Sequence, residues 1–223
     1  LFMAGYGNTW SNGKSVYMQL KQDADGHDLD PADPDNWTVP TPIYRNDASL
    51  LNGNKQLAAT ASGGVGMSLD MTYFQDADGR SYYAWQQLGA TYIATMDPKD
   101  PAHVTSSPVR IVTPEYAWNA AIAEGPNVTM RDGKLYLMFS GSGVGKTYTT
   151  GLAVADAAGS DLTDPASWTA LNYPIQKSGP FNGEMQLGTG HGMWSEDEDG
   201  NQIYVFHAYA TKNLGSVNAT GRD

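Results

Sequence analysis

The sequence lacks cysteine and is poor in positive charge, and both shortages exclude classes of protein. Without cysteine there is neither a disulfide framework nor a thiolate zinc site, although this absence leaves the cellular compartment open. Against 24 Asp and Glu there are only 13 Lys and Arg, and the net charge of −11 repels phosphate backbones and anionic lipid head groups. We therefore expect neither nucleic acid nor membrane as a partner.

Long apolar runs and helical periodicity are missing as well. No segment approaches the roughly 18 consecutive apolar residues that a membrane-spanning helix needs. Apolar residues instead form short runs bounded by Gly, Asp, Asn and Pro, a pattern typical of strands and turns. The sequence thus predicts a globular all-β protein with strands at residues 15–20, 81–86, 91–96, 127–130, 134–140, 147–155 and 202–208.

A repeated plan connects these strands. An Asp-Gly turn, the strongest short hairpin signal, precedes a tyrosine-bearing strand at Gly79, Gly133 and Gly200. These glycines are 54 and 67 residues apart by subtraction of their numbers, and an Asp-Pro run recurs at 28–38 and 161–169. A repeat of this size, built from about four strands, fits one blade of a β-propeller. About four such units fit into the chain.

Both ends of the chain interrupt the repeat. Residues 1–7 match residues 137–143 without an Asp-Gly turn before them, and no closing strand follows Asp223. Leu1 is neither an initiator Met nor the start of a signal peptide. Because a propeller must close on itself, we expect further residues on both sides and interpret 1–223 as one partial propeller domain.

Residues 140–147, Ser-Gly-Ser-Gly-Val-Gly-Lys-Thr, invite comparison with a phosphate-binding loop. That motif needs glycine where Ser140 stands, and a helix must follow so that its amides face the phosphates. The residues after Thr147 are β-branched and interrupted by Gly151. A Gly/Ser hairpin loop is the better interpretation.

The remaining candidate metal- or ligand-binding residues lie in turns, except for His191. The Asp-Gly turns that end at Gly26, Gly79 and Gly200 begin like calcium loops but lack the later ligands, so turn chemistry accounts for them. His191 is different, because it stands among the glycines of 188–192, where backbone can approach a ligand closely. A hydrogen-bonded structural histidine fits these residues equally well.

Two carboxylates lie in apolar surroundings rather than in turns. Asp70 precedes Gly79 by nine residues, and Glu124 precedes Gly133 by the same interval. In a repeat architecture this equal offset places both on the innermost strands of successive blades, near the axis. Two acids in a partly apolar funnel suit glycoside hydrolysis. Strand-end carboxylates bonded to backbone amides are an equally good interpretation of the residues alone.

These residues resemble glycoside hydrolase family 43, whose members are five-bladed β-propellers that act on arabinose- and xylose-containing polysaccharides. The run from Tyr148 to Trp168 is most similar to members that release terminal arabinofuranose. The strings that carry the resemblance are 68–74 with 78–79, 123–126 with 132–134, 148–155 with 161–168, and 188–192 with 206–208.

The resemblance assigns roles to individual residues. It implies that Glu124 is the general acid, and that Asp70 raises the pKa of that acid and orients it. Like charges a few ångströms apart cannot both ionise easily, which gives this role a physical basis. His191 resembles the axial histidine beneath the sugar. The family requires no cofactor but allows a structural calcium ion, which His191 would help to hold through water. Candidate walls for stacking on a sugar, with packed core aromatics as the alternative, are Trp118, Trp85 and Trp194.

One element of the family pattern is missing. An inverting enzyme needs a third carboxylate as general base, roughly 6.5–9.5 Å from the acid, and the resemblance places it upstream of every matched residue. Asp30 and Asp33 are poor substitutes, because the same Asp-Pro run recurs at Asp164 in a blade exit. We therefore expect the base outside 1–223, and little hydrolysis from these residues alone.

The sequence as a whole predicts an inverting glycosidase that cleaves terminal α-L-arabinofuranosyl residues from arabinan or arabinoxylan. The alternatives are a β-xylosidase or endo-arabinanase of the same family, and a carbohydrate-binding propeller without catalysis. The compartment stays open, with secretion or the cell surface favoured.

Overall fold

Four antiparallel sheets make up the structure, a computed structural model that describes residues 2–5, 14–51 and 68–209. The helical turns in these ranges are three short 3-10 helices, at Pro34–Asn36, Ala117–Asn119 and Pro165–Ser167. None of the helices in the described ranges has the length and apolar character needed to cross a membrane. The all-β prediction is confirmed.

The strands follow one another along the chain within each sheet. The first sheet contains β1 (Phe2–Gly5), β2 (Lys14–Tyr17) and β3 (Thr41–Pro42). The second contains β4 (Leu69–Gln75), β5 (Ser81–Gln87), β6 (Ala90–Asp97), β7 (Asp100–Val104) and β8 (Val109–Val112), which also pairs with β6. The third contains β9 (Ala123–Arg131), β10 (Lys134–Gly141), β11 (Thr149–Asp156) and β12 (Thr169–Ala170). The fourth contains β13 (Gly179–Phe181), β14 (Glu184–Glu196) and β15 (Gln202–Tyr209).

The sheets pack against one another as blades of a propeller. Strand β4 contacts β9, and β9 contacts β14, so these three strands form a continuous inner row. Apolar side chains fill the spaces between sheets: Tyr82, Leu137 and Trp168 belong to the cluster between the second and third, and Ile43 and Trp85 to the cluster between the first and second. Each large side chain buried in this way contributes about 1.5–3 kcal/mol.

The Asp-Gly turns connect an inner strand to the next strand of the same sheet. In the β4–β5 turn, the Asp76 carboxylate accepts hydrogen bonds from the backbone amides of Asp78 and Arg80. In the β14–β15 turn, the Asp197 carboxylate accepts them from the amides of Asp199 and Asn201. Both aspartates therefore serve the turn itself, as the sequence predicted, since a short polar side chain satisfies the amides two and four residues on.

The two Asp-Pro runs have the same structure. Asp33 and Asp164 each begin a 3-10 helix with proline at its first position, and each carboxylate accepts a hydrogen bond from the amide two residues on. The indole N–H of Trp37 donates to the Pro31 carbonyl, and that of Trp168 donates to the corresponding carbonyl of Leu162. The sequence repeat thus corresponds to a repeated structural exit from a blade.

Each of the seven predicted strands coincides with an observed strand, although the ends differ. Segment 127–130 is the end of the longer β9, and segment 15–20 leaves the ladder of β2 at Tyr17. A strand, β11, rather than a helix follows the Gly/Ser segment 140–147, which agrees with the hairpin interpretation. Strands β4 and β14 were not among the seven predicted segments, and in β14 three glycines interrupt the apolar pattern.

Candidate active site

The three inner strands bring Asp70, Glu124 and His191 to one place. Asp70 lies on β4, Glu124 on β9 and His191 on β14, and the strand ladder shifts register next to each of them. Asp70 and His191 have φ angles of 56° and 48°, in the left-handed region that side chains rarely adopt. Bulges and strained backbone cluster at functional sites, where they aim a side chain away from the regular sheet. The sequence predicted Asp70 and Glu124 at equivalent positions in successive blades, and a register shift of the ladder lies beside each of them.

Glu124 is held by a residue that the sequence did not reveal. The phenol of Tyr148, which immediately precedes β11, donates a hydrogen bond to Glu124 Oε1 over 2.5 Å. Tyr148 is fully buried, with 0% of its surface exposed. Burial raises the pKa of this phenol, and the adjacent Glu124 carboxylate raises it further. The phenol consequently stays protonated and remains a donor towards Glu124.

Asp70 is tied to the neighbouring inner strand. Its Oδ2 accepts a hydrogen bond from the amide of Gly125 over 3.1 Å, and its Oδ1 lies 3.8 Å from Nε2 of His191. Burial raises the pKa of the Asp70 carboxyl, while the charge of His191 and the Gly125 bond partly oppose the rise. Asp70 is thus a carboxyl whose surroundings make ionisation costly, as an acid–base site requires.

His191 connects the same residues from the third inner strand. Its Nδ1 lies 3.2 Å from the Tyr148 hydroxyl, and its backbone amide donates to Ser140 Oγ. The ring of His207, on β15, stacks over both Tyr148 and His191, with centroid separations of 6.2 and 6.0 Å. Tyr148 and His207 therefore belong to the candidate site. Both lie in segments that carry the family resemblance, but the sequence analysis assigned neither of them a role.

Glycines leave room for these rings. A Cβ on Gly125 would lie 3.2 Å from the His191 imidazole, and a Cβ on Gly190 would lie 2.5 Å from the Tyr148 ring. Any larger residue at Gly190 would have to displace the phenol. Gly125 and Gly190 therefore leave space for the His191 and Tyr148 rings of the same chain. The sequence had instead predicted that glycines here let the backbone approach a ligand.

A cavity of ≈ 610 Å³ lies beside these groups and is lined in part by Asp70, His191 and His207. This volume is within the range of small-ligand sites, about 300–1,000 Å³. Asn127 and Met193 continue the lining along β9 and β14, so the cavity follows the inner strands. The arrangement offers a sugar-sized space next to the Asp70 carboxyl and the His191 imidazole, and Gly125, the residue after Glu124, also lines it.

The three tryptophans predicted to stack on sugar have different positions. Trp85 is 0% exposed and its indole N–H donates to Gln87 Oε1, so the prediction for this residue is wrong: no sugar can reach a ring enclosed by the core. Trp118 is partly buried and stacks in parallel with the exposed Tyr116. Trp194 lies three residues beyond His191, beside Tyr204. Stacking by Trp118 and Trp194 stays a prediction.

The surroundings of His191 do not fit a directly bound calcium ion. Calcium takes six to eight oxygen ligands, mostly carboxylates, carbonyls and water. The only three-residue group of metal-binding side chains within the described ranges is exposed, at Asp23, Asp25 and His27, and does not include His191. Asp70 is one carboxylate and already binds the Gly125 amide. A water-held ion beside His191 stays a prediction.

Asp30 and Asp33 do not join the site. The Asp30 carboxylate accepts a hydrogen bond from the Ala32 amide, the Asp33 carboxylate accepts one from the Asp35 amide, and both aspartates lie in the exposed exit segment. The structure thus agrees with the interpretation of these residues as turn residues.

Comparison with known proteins supplies the family. A model of glycosyl hydrolases family 43 matches residues 54–223, which include every strand from β4 to β15. The chain belongs to this family. Asp70, Glu124 and His191 all lie inside the matched residues.

Two curated relatives are about one-third identical to the chain over the residues that align. An extracellular exo-alpha-(1->5)-L-arabinofuranosidase of Streptomyces chartreusis is 33% identical over 159 residues, which cover 66% of this chain and 46% of that protein. Alpha-L-arabinofuranosidase 43 of Humicola insolens is 32% identical over 152 residues, which cover 63% of this chain and 30% of that protein. The chain spans less than half the length of these relatives.

Solved structures of the family share the fold. The crystal structure of an alpha-L-arabinofuranosidase from Lactobacillus brevis has a TM-score of 0.65 and 23% identity, over 99% of this chain and 66% of that one. This likeness shows a five-bladed β-propeller, of which the present chain forms part. The predicted fold is confirmed.

Proposed function

We propose that this chain carries the general acid, Glu124, of an inverting glycosidase that releases terminal α-L-arabinofuranosyl residues. The observation that carries the proposal is the placement of Glu124 and Asp70 on adjacent inner strands, joined through the Gly125 amide beside a sugar-sized cavity. The family membership and the arabinofuranosidase relatives support the same reaction class.

The proposed division of labour follows from charge. Glu124 gives its proton to the leaving glycosidic oxygen, which would otherwise depart as an unstable alkoxide. An ionised Asp70 on the adjacent strand makes loss of that proton less favourable, because two negative charges repel each other in a partly buried site. His191 faces Asp70 with Nε2 and offsets part of that charge.

The general base lies elsewhere in this proposal. An inverting enzyme separates its two carboxyls by roughly 6.5–9.5 Å, so that a water molecule fits between the base and the sugar. The carboxylates of Asp30 and Asp33 are already used by their own turns. We infer that a part of the protein outside the described residues supplies the base.

Substrate and location are inferred from the relatives. Both curated relatives described above are named arabinofuranosidases, and the Streptomyces chartreusis protein is also named extracellular. We infer an arabinan or arabinoxylan side chain as the substrate and secretion as the route to it.

The test is hydrolysis of arabino-oligosaccharides by the natural-length protein, its Glu124→Gln variant and a Glu196→Gln control. Glu196 is an exposed carboxylate at the far end of β14. Loss of a general acid lowers kcat/KM by about 10²- to 10⁴-fold, whereas the control is expected to match the wild type. Proton NMR of the first product is expected to show the inverted anomer.

The alternatives give distinct results. Equal activity of Glu124→Gln and wild type would remove Glu124 from the acid role. Hydrolysis of aryl xylosides in place of arabinofuranosides would change the substrate while keeping the mechanism. Binding of oligosaccharides without any hydrolysis would identify a carbohydrate-binding propeller.

A further inference from the structure

Tyr148 occupies the space between two groups of the candidate site. Its hydroxyl lies 2.5 Å from Glu124 Oε1 and 3.2 Å from His191 Nδ1, so one buried phenol contacts residues from two inner strands. We propose that Tyr148 is a positioning residue, whose hydroxyl holds the Glu124 carboxyl in the orientation that delivers its proton to the leaving oxygen. This inference rests on the proposed function of Glu124.

The phenol is itself held in place. Its ring lies against Gly190, where even a Cβ would approach to 2.5 Å, and it stacks on His207 with the ring planes only 7° apart. Full burial removes alternative positions for the side chain. A rigid donor fixes the orientation of the group it binds, and this is the property that positioning in an active site requires.

The hydrogen bond also distinguishes the two oxygens of the carboxyl. A phenol has one proton, and its shorter contact is with Oε1 of Glu124, so this oxygen accepts it. With Oε1 held in this way, the plane of the carboxyl is fixed. Without the phenol the carboxyl can rotate, and part of its population presents the wrong geometry to the sugar.

A matched pair of variants tests the inference. Tyr148→Phe removes only the hydroxyl, and Tyr204→Phe removes a comparable hydroxyl that bonds Thr150 Oγ1 over 2.6 Å. The readout is the dependence of kcat/KM on the leaving group, because departure of a poor leaving group needs protonation and departure of a dinitrophenolate does not. Crystal structures of both variants report the orientation of Glu124 independently of activity.

We expect Tyr148→Phe to lose about 10- to 100-fold in kcat/KM on arabino-oligosaccharides, the usual effect of a misplaced catalytic group. Its activity on dinitrophenyl arabinofuranoside is expected to stay close to that of Tyr204→Phe. Gly190→Ala, which keeps the hydroxyl but displaces the ring, is expected to give the same leaving-group pattern. Of the two tyrosine variants, only Tyr148→Phe is expected to show a rotated Glu124 carboxyl in its crystal structure.

The contrary results are equally defined. Equal losses on all leaving groups, or an unchanged Glu124 orientation in Tyr148→Phe, would overturn the positioning role. If the wild type hydrolyses no glycoside, the proposed function fails, and the carboxyl orientation in the two crystal structures still decides whether Tyr148 positions Glu124.

Discussion

The amide of Gly125 donates a hydrogen bond to Asp70 Oδ2 over 3.1 Å and so joins two inner strands at the level of their carboxyls. Gly125 has a φ of 60°, a conformation that glycine adopts without steric cost. Since Gly125 directly follows Glu124, this single contact fixes the relative position of the two acids. This backbone group therefore contributes to the geometry of the candidate site, together with the contacts of Tyr148 and His191.

Gly125→Ala is expected to damage that geometry. The added Cβ would be strained at positive φ and would lie 3.2 Å from the imidazole of His191. A residue forced into this conformation costs about 1–3 kcal/mol. We expect a lower urea midpoint and a loss of hydrolysis of about 10²-fold from the misplaced Glu124.

Gly143→Ala is the control for this substitution, because a Cβ there would meet nothing within 4 Å. It is expected to leave the urea midpoint and the activity unchanged. Equal behaviour of the two alanine variants would show that the conformation at Gly125 does not constrain the site.

Asp70→Asn is expected to stabilise the fold at neutral pH. Burial raises the folded-state pKa of Asp70, so the folded protein binds this proton more tightly than the unfolded chain does. Wild-type stability is therefore lost as pH rises from the unfolded value, about 3.9, through the higher folded value. The neutral amide avoids this loss, with an expected gain of about 1 kcal/mol at pH 7 but lower activity.

Urea unfolding of Asp70→Asn and wild type from about pH 4 to pH 7 measures this difference. Asp197→Asn is the control of opposite sign, because hydrogen bonds in its turn lower the pKa of Asp197. Asp197 therefore stabilises the fold above its unfolded value and loses that contribution as pH falls. A stability difference for Asp70→Asn that does not change with pH would contradict a raised pKa for Asp70.

Trp118→Ala and Trp85→Phe separate sugar binding from core packing. Trp118 forms a parallel aromatic pair with the exposed Tyr116, close to the end of β10, where a Cβ on Gly141 would lie 3.0 Å from its ring. If Trp118 stacks on a sugar, Trp118→Ala raises KM severalfold, because a stacking contact with an aromatic ring is worth about 1 kcal/mol. Trp85→Phe is expected to lower only the denaturation midpoint. A raised KM for Trp85→Phe, with unchanged KM for Trp118→Ala, would reverse the assignment.

Strand prediction succeeded where strands are covered by neighbouring blades. Strands β5, β6 and β10 bury most of their residues, so their sequences are apolar and β-branched or aromatic and are easily recognised. Strands β4 and β14 carry Asp70 and His191 in the inner row of the molecule, and β14 also contains three glycines. The ladder shifts register beside both residues, and these bulges cannot be located from residue type alone.

Tyr148 and Trp85 show why the site was predicted only in part. Both are aromatic residues at strand ends or within strands, and local sequence does not specify which way an aromatic ring points. The hydroxyl of Tyr148 meets Glu124 from a position 24 residues away along the chain. Trp85 is nearer to Asp70 along the chain than Tyr148 is to Glu124, yet it lies wholly within the core between the first and second sheets.

The sequence by itself determined the repeat, the Asp-Gly turns, the blade exits and the equal offset of Asp70 and Glu124, because each follows from residue type and spacing within one blade. The tertiary structure alone decided which side chains meet between blades. The contact of Tyr148 with His191 depends on how the third and fourth sheets approach each other. Its contact with Glu124 joins two strands of the third sheet that are not neighbours, and no local pattern records either contact.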